Sequence, residues 1–199
     1  MALKYPHPKI SNARDGSELW CAAQRWNEKI DVPLAEQPKA HFETALKGSK
    51  AHGSGRNGAI RGKYLEISVY DFVAKIVSKQ GIGTECIRVQ VDMLPGYNAE
   101  ADILINDRLA ILVKTSYRER WKQVDRDAML MSQLNPARKG RDFRVWSVFY
   151  AERDDLTLEQ VQKKAVSVER HCFADVNVAS ILDTAKMSEL ESDIKWAVK

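Results

Sequence analysis

The apolar run Leu109-Ala-Ile-Leu-Val113 passes directly into Lys114, and the polar break Asn106-Asp-Arg108 separates it from an earlier apolar stretch that carries Asp102. A lysine that ends a buried strand, with a carboxylate on the strand before it, is a costly arrangement. Desolvating either ion without a partner or a metal is strongly unfavourable. These two charges therefore constrain both the fold and the chemistry more than any other feature of the sequence.

The flanking pattern places them. Cys86 to Met93 alternates apolar and polar residues as a half-buried strand does, Leu94-Pro-Gly-Tyr97 is turn material, and a second strand is expected from about Glu100 to Ile105. Asn106 to Arg108 then turns the chain into Leu109–Lys114 as a β-hairpin. With a three-residue loop, Ile105 faces Leu109 and Asp102 faces Leu112, which puts Asp102, Leu112 and Lys114 on one face. A two-residue loop would turn Asp102 away. An Asp and a Lys on neighbouring strands also occur as an edge ion pair worth at most about 1 kcal/mol, so burial decides between the two readings.

After Lys114 the period changes to that of a helix, from roughly Tyr117 to Leu134. Trp121, Val124, Ala128 and Met131 form its apolar stripe, and Arg120, Gln123 and Asp127 form a separate polar row. This combination resembles the restriction-endonuclease-like superfamily with the signature PD-(D/E)xK. The usual acid-x-lysine slot reads Leu112-Val113-Lys114 here, and Ala101 stands where the signature has proline. The chain is most similar to a branch in which the second acid has moved to the following helix, and Asp127 occupies that position. Lys-Thr-Ser-x-x-x-Arg-Trp-x-Gln at 114 to 123 also looks like that branch.

The resemblance spans roughly residues 62–150. Gly62-Lys-Tyr-Leu-Glu66 opens an apolar helix to about Ser78, three strands and the motif helix follow, and Phe143 to Tyr150 is a further apolar strand. The fold class it implies is α/β (α+β): a restriction-endonuclease-like core with a mixed central sheet of about four to five strands, flanked by helices, with added N- and C-terminal helices. The chain is expected to form a single nuclease domain over 1–199. Within it, 1–45 is a helical extension, 46–63 a basic glycine-rich loop, 64–150 the catalytic core and 151–199 a helical C-terminal part.

What the resemblance implies about function is a Mg2+-dependent endonuclease acting on double-stranded DNA, with Mn2+ able to substitute, most specifically a type II restriction endonuclease working as a homodimer. Homing, mobile-element and repair nucleases of the same superfamily are alternatives, as is a DNA-binding module that lost catalysis with the acid at Leu112. Phosphodiester cleavage needs charge neutralised on the phosphate and hydroxide generated near neutral pH, and a hard cation held by oxygen ligands does both. The implied metal ligands are Asp102, Asp127 and the carbonyl of Val113, joined by Glu66, which shares its helix side with Val69, Val73 and Val77. Lys114 would hold or help deprotonate the attacking water, and Arg120 would grip the scissile phosphate. Ser116, Arg118 and Gln123 in the same stretch are expected to contact DNA.

The rest of the chain adds charge placement. A net charge of +4 with 29% charged residues is a mild basic excess. Between Leu46 and Tyr64, however, there are Lys47, Lys50, Arg56, Arg61 and Lys63, no acid, and five of the ten glycines. This segment, with Asn57, is expected to be an irregular basic loop that wraps DNA phosphates. A helix is expected near Lys39 to Leu46, and Thr157-Leu-Glu-Gln160 and Ser188-Glu-Leu-Glu191 read as capping boxes that each open a helix. Cys172 to Val178 between them reads as a further strand. Cys21, Cys86 and Cys172 are odd in number and far apart, which points to reduced thiols. With no charged-apolar leader and no apolar run near twenty residues, the expectation is a cytoplasmic protein of a bacterial, archaeal or phage-infected cell, with no membrane partner.

Overall fold

The computed structural model describes residues 31–47, 56–94, 96, 99–114, 143–150 and 176–199. After a short 3-10 turn at Leu34–Glu36, the described elements are α1 (Gln37–Lys47), α2 (Arg56–Lys79), β1 (Ile87–Leu94), β2 (Ala99–Ile105), β3 (Leu109–Lys114), β4 (Arg144–Phe149), β5 (Val176–Ser180) and α3 (Thr184–Ala197). The strands form one mixed five-stranded sheet in the order β1-β2-β3-β4-β5. The first three are antiparallel, and β4 and β5 each join in parallel.

The hairpin takes the three-residue loop, with Ile105 opposite Leu109 and Ile103 opposite Ile111. Asn106 and Asp107 both have positive φ, 48° and 57°, and the Arg108 N–H closes the turn on the Ile105 carbonyl at 2.9 Å. Asn and Asp enter this region more easily than other side chains do, which is why they build primed turns. Both faces of β3 are buried, as its unbroken apolar run requires.

One face of the sheet carries the main core. Ile103, Ile105, Leu109, Ile111, Trp146 and Val148 pack with Leu65, Val69, Phe72, Val73 and Ile76 of α2, and with Met187, Leu190 and Ile194 of α3. Each of these side chains is at most 2% exposed, and full burial of such a residue contributes roughly 1.5–3 kcal/mol. Phe42 and Ala45 place α1 in the same core, where the Phe42 ring meets Tyr150 edge-on with centroids 4.7 Å apart. A polar seam ties α1 to α2: Asp71 Oδ2 lies 3.2 Å from His41 Nδ1 and 2.6 Å from Lys75 Nζ.

The C-terminal helix is locked to the hairpin end of the sheet. Asp193 accepts from Arg144 Nη1 at 2.6 Å and from the indole N–H of Trp146 at 2.7 Å. The Trp196 ring receives the guanidiniums of Arg108 and Arg144 at 4.2 and 4.1 Å from its centroid, and Asn106 donates to the Ala197 carbonyl at 3.1 Å.

Three boundaries differ from the expectations. The stretch 46–63 assigned to a basic loop is helical where it is described, because α2 begins at Arg56 and takes in Arg56, Asn57, Arg61 and Lys63, while Lys47 ends α1. Gly58 and Gly62 each cost a helix only about 1 kcal/mol, less than the burial of Tyr64 and Leu65 returns. Secondly, the Ser188 capping box does not open the last helix. Its N-cap is Asp183, whose carboxylate accepts the Lys186 N–H at 3.1 Å, and Ser188 Oγ instead donates to the Thr184 carbonyl one turn back, at 2.9 Å. Thirdly, the flanks assigned to 1–45 and 151–199 are not appendages where they are described, since α1 and α3 build the main core and β5 extends the sheet. The expected motif helix from Tyr117 to Leu134, the box at Thr157 and the first thirty residues of the helical extension lie outside the described residues. Among the described residues, no helix is long and apolar enough to cross a membrane.

Candidate active site

The candidate site forms where β2 and β3 part company. Their pairing runs from Ile105↔Leu109 to Ile103↔Ile111; beyond it β2 continues on β1 through Ala101, and β3 continues on β4 as far as Lys114, opposite Phe149. The Val113 N–H turns toward β2 and donates to Asp102 Oδ2 at 2.6 Å. Lys114 Nζ stands 3.4 Å from the same oxygen. Their side chains are 13% exposed for Lys114 and 16% for Asp102, so the pair is not a solvated edge contact.

Glu66 comes to the same place from α2. It is 6% exposed, in agreement with the inward side that its spacing to Val69, Val73 and Val77 implies. Its Oε1 accepts from Gln90 Nε2 on β1 at 3.3 Å. Burial pushes the Asp102 carboxyl above the usual carboxylate range, and the neighbouring Glu66 charge pushes it further. Lys114 and the Val113 N–H pull the other way without overcoming burial. Two carboxylates in poorly solvated surroundings repel each other, a repulsion that a divalent cation between them would relieve.

The donor set fits such a cation. Asp102 and Glu66 are hard oxygen donors, which magnesium prefers, and magnesium is commonly held by one or two carboxylates with water and substrate phosphate completing its shell. Among the described residues, no group of three or more His, Cys, Asp or Glu side chains is gathered as a ready-made cage. Leu112, in the slot where an acid would stand, is fully buried opposite Ser147. Asp127, the residue expected to supply the missing carboxylate, lies outside the described residues, as do Arg120, Ser116, Arg118, Gln123 and Lys50. Asp102, Val113, Lys114 and Glu66 are thus brought together. Arg61 and Lys63 lie within about one and a half turns before Glu66 on α2, and Arg56 and Asn57 open that helix.

Gln90 is the residue that sequence reasoning missed. It has φ 52° in the middle of a strand and falls between the pairs Val89↔Ile103 and Val91↔Ala101, opposite Asp102. A glutamine held in the left-handed region costs roughly 1–3 kcal/mol, and such strain gathers at functional sites. No sequence signal marks it, because Gln90 fits the polar phase of an alternating strand and lacks the Gly, Asn or Asp that announces a left-handed backbone.

Comparison with protein-family models, with curated proteins and with solved structures finds no match to this chain.

Proposed function

We propose that this chain is a Mg2+-dependent endonuclease that hydrolyses phosphodiester bonds of double-stranded DNA, built on a restriction-endonuclease-like fold and acting as a sequence-specific type II restriction enzyme. One observation carries the reading: a half-buried Asp102–Lys114 pair at the open end of a hairpin, with the Glu66 carboxylate beside it. Such a group of charges is expensive to bury for stability alone. The helix, three strands and later parallel strand run in the order that the resemblance implies.

Asp102 and Glu66 would hold the cation, with Asp127 and the carbonyl of Val113 as the further ligands the resemblance implies. When bound, magnesium neutralises charge on the scissile phosphate and acidifies the attacking water. The Lys114 ammonium would hold the attacking water through its N–H donors. Its own position is held by Asp102. Arg120 grips the phosphate through its two-pronged guanidinium. Arg56, Arg61 and Lys63 add positive charge to the N-terminal end of α2, where the first turn has no acid. With Asn57, Lys47, Lys50, Ser116, Arg118 and Gln123, they form the proposed DNA contacts. A homodimer places two such sites about a twofold axis, as cutting both strands of a palindrome requires.

Digestion of a long mixed-sequence DNA, with Mg2+ and with a chelator, tests the reading. Discrete fragments that depend on Mg2+ or Mn2+ support a restriction enzyme. One or a few cuts at long sites support a homing nuclease, and metal-dependent random nicking supports a mobile-element or repair nuclease of the same superfamily. Intact DNA under every condition, with a gel shift still present, overturns the enzyme and leaves a DNA-binding module.

A further inference from the structure

We infer that Gln90 is a positioning residue, which holds the Glu66 carboxylate toward Asp102 so that both can bind one divalent cation. The inference rests on the metal-dependent reading above. Three observations meet at this side chain. Its backbone is left-handed at φ 52° inside β1. The ladder between β1 and β2 skips it, so that it lies across from Asp102. Its amide Nε2 donates to Glu66 Oε1 at 3.3 Å.

The chemistry of the donor explains why an amide stands here. A lysine or arginine in this place would orient Glu66 but cancel the charge that attracts the cation. A neutral amide fixes one carboxylate oxygen and leaves that charge in place, as the hydrogen-bonded partners of metal-binding carboxylates do. The distorted backbone belongs to the same device. Regular strand geometry would return Gln90 to the ladder opposite Asp102, whereas the left-handed residue interrupts the ladder where its amide meets Glu66 of α2. A glutamine that served only the strand would have no reason to keep a conformation that glycine or asparagine adopts more easily.

Mn2+ binding, measured by calorimetric titration on the full chain without DNA, tests the inference in Gln90→Gly, Gln90→Asn and Asp102→Asn. Both substitutions at Gln90 tolerate a positive φ, so melting of the metal-free protein should stay at or above that of the wild type. Neither carries an amide long enough to replace the bond to Glu66. We expect Mn2+ affinity to fall roughly 10- to 100-fold in both Gln90 variants, and to vanish in Asp102→Asn. Wild-type affinity in the Gln90 variants, with none in Asp102→Asn, overturns the role of Gln90 and leaves the metal reading standing. A parallel drop of melting temperature and affinity in both Gln90 variants makes the residue a structural one and also overturns the inference. Wild-type affinity in Asp102→Asn overturns the metal reading and this inference with it.

Discussion

Lys114 Nζ stands 3.4 Å from Asp102 Oδ2, with both side chains largely withdrawn from solvent. The strand pairing that would otherwise fill this place ends at Ile103↔Ile111. The two charges are thus held where β2 and β3 no longer pair with each other, although each still pairs with its outer neighbour, and the remaining bond of Asp102, to the Val113 N–H, fixes the carboxylate rather than the ladder.

Lys114→Ala should lower the DNA cleavage rate by roughly 100- to 10,000-fold, the range for removing a group that manages a proton in the transition state. Asp102→Ala should abolish cleavage. Both variants should keep most of their affinity in a gel shift, because phosphate contacts elsewhere set binding. Cleavage by either at the wild-type rate would remove the pair from the mechanism.

Asp127→Asn should lose Mg2+-dependent cleavage, while Asp125→Asn and Glu119→Gln retain it. On the helix expected from the sequence spacing, Asp127 would share a row with Arg120 and Gln123, whereas Glu119 would be rotated by about 100° from Arg120 and Asp125 by about 160° from Asp127. Magnesium titrations of all three variants decide the matter. An active Asp127→Asn beside an inactive variant of either other acid would show that another carboxylate serves the site.

Neutralising Lys47, Lys50, Arg56 and Arg61 together should weaken DNA binding and flatten its salt dependence. Removing one phosphate interaction reduces the slope of log K against log salt by about 0.9. Fluorescence anisotropy over a salt series gives that slope, and an unchanged value would reduce the segment to a connection between α1 and α2.

Asp102→Asn should alter the pH dependence of stability in a chelator. The folded carboxyl lies above its ordinary value because it is buried, so the folded state holds the proton more tightly than the unfolded chain does. Wild-type stability therefore falls, relative to the variant, as pH rises from the ordinary carboxylate value through the raised one, and the full penalty persists at higher pH. Thermal melts across the acid range should show the variant gaining on the wild type as pH rises. A constant difference would contradict the burial argument.

Asp193→Ala should cost about 1–3 kcal/mol, since it strips the buried Trp146 indole N–H of its acceptor. It also removes the partner of Arg144. Arg144 is opposite Leu109, at the far end of β3 from Lys114, so Mn2+ affinity should not change. Denaturant unfolding and metal titration of the same preparation test both parts, and weakened metal binding at full stability would mean that the two ends of the strand are coupled.

The strands and the hairpin register were legible in the order of residues alone, because alternation and a polar break are local signals. The limits of β3 and the facing of Ile105 and Leu109 could be read in this way, and so could the inward side of Glu66, from helical spacing. Packing between distant parts of the chain settled the rest. It joined β5 to β4 in parallel, drew α1 and α3 into the main core, and extended α2 back to Arg56 through two glycines. It also set the left-handed backbone of Gln90, whose hydrogen-bond partner lies on α2, twenty-four residues earlier. Local preference disfavours that conformation at a glutamine, and a hydrogen bond to another element leaves no trace in the pattern of neighbouring residues.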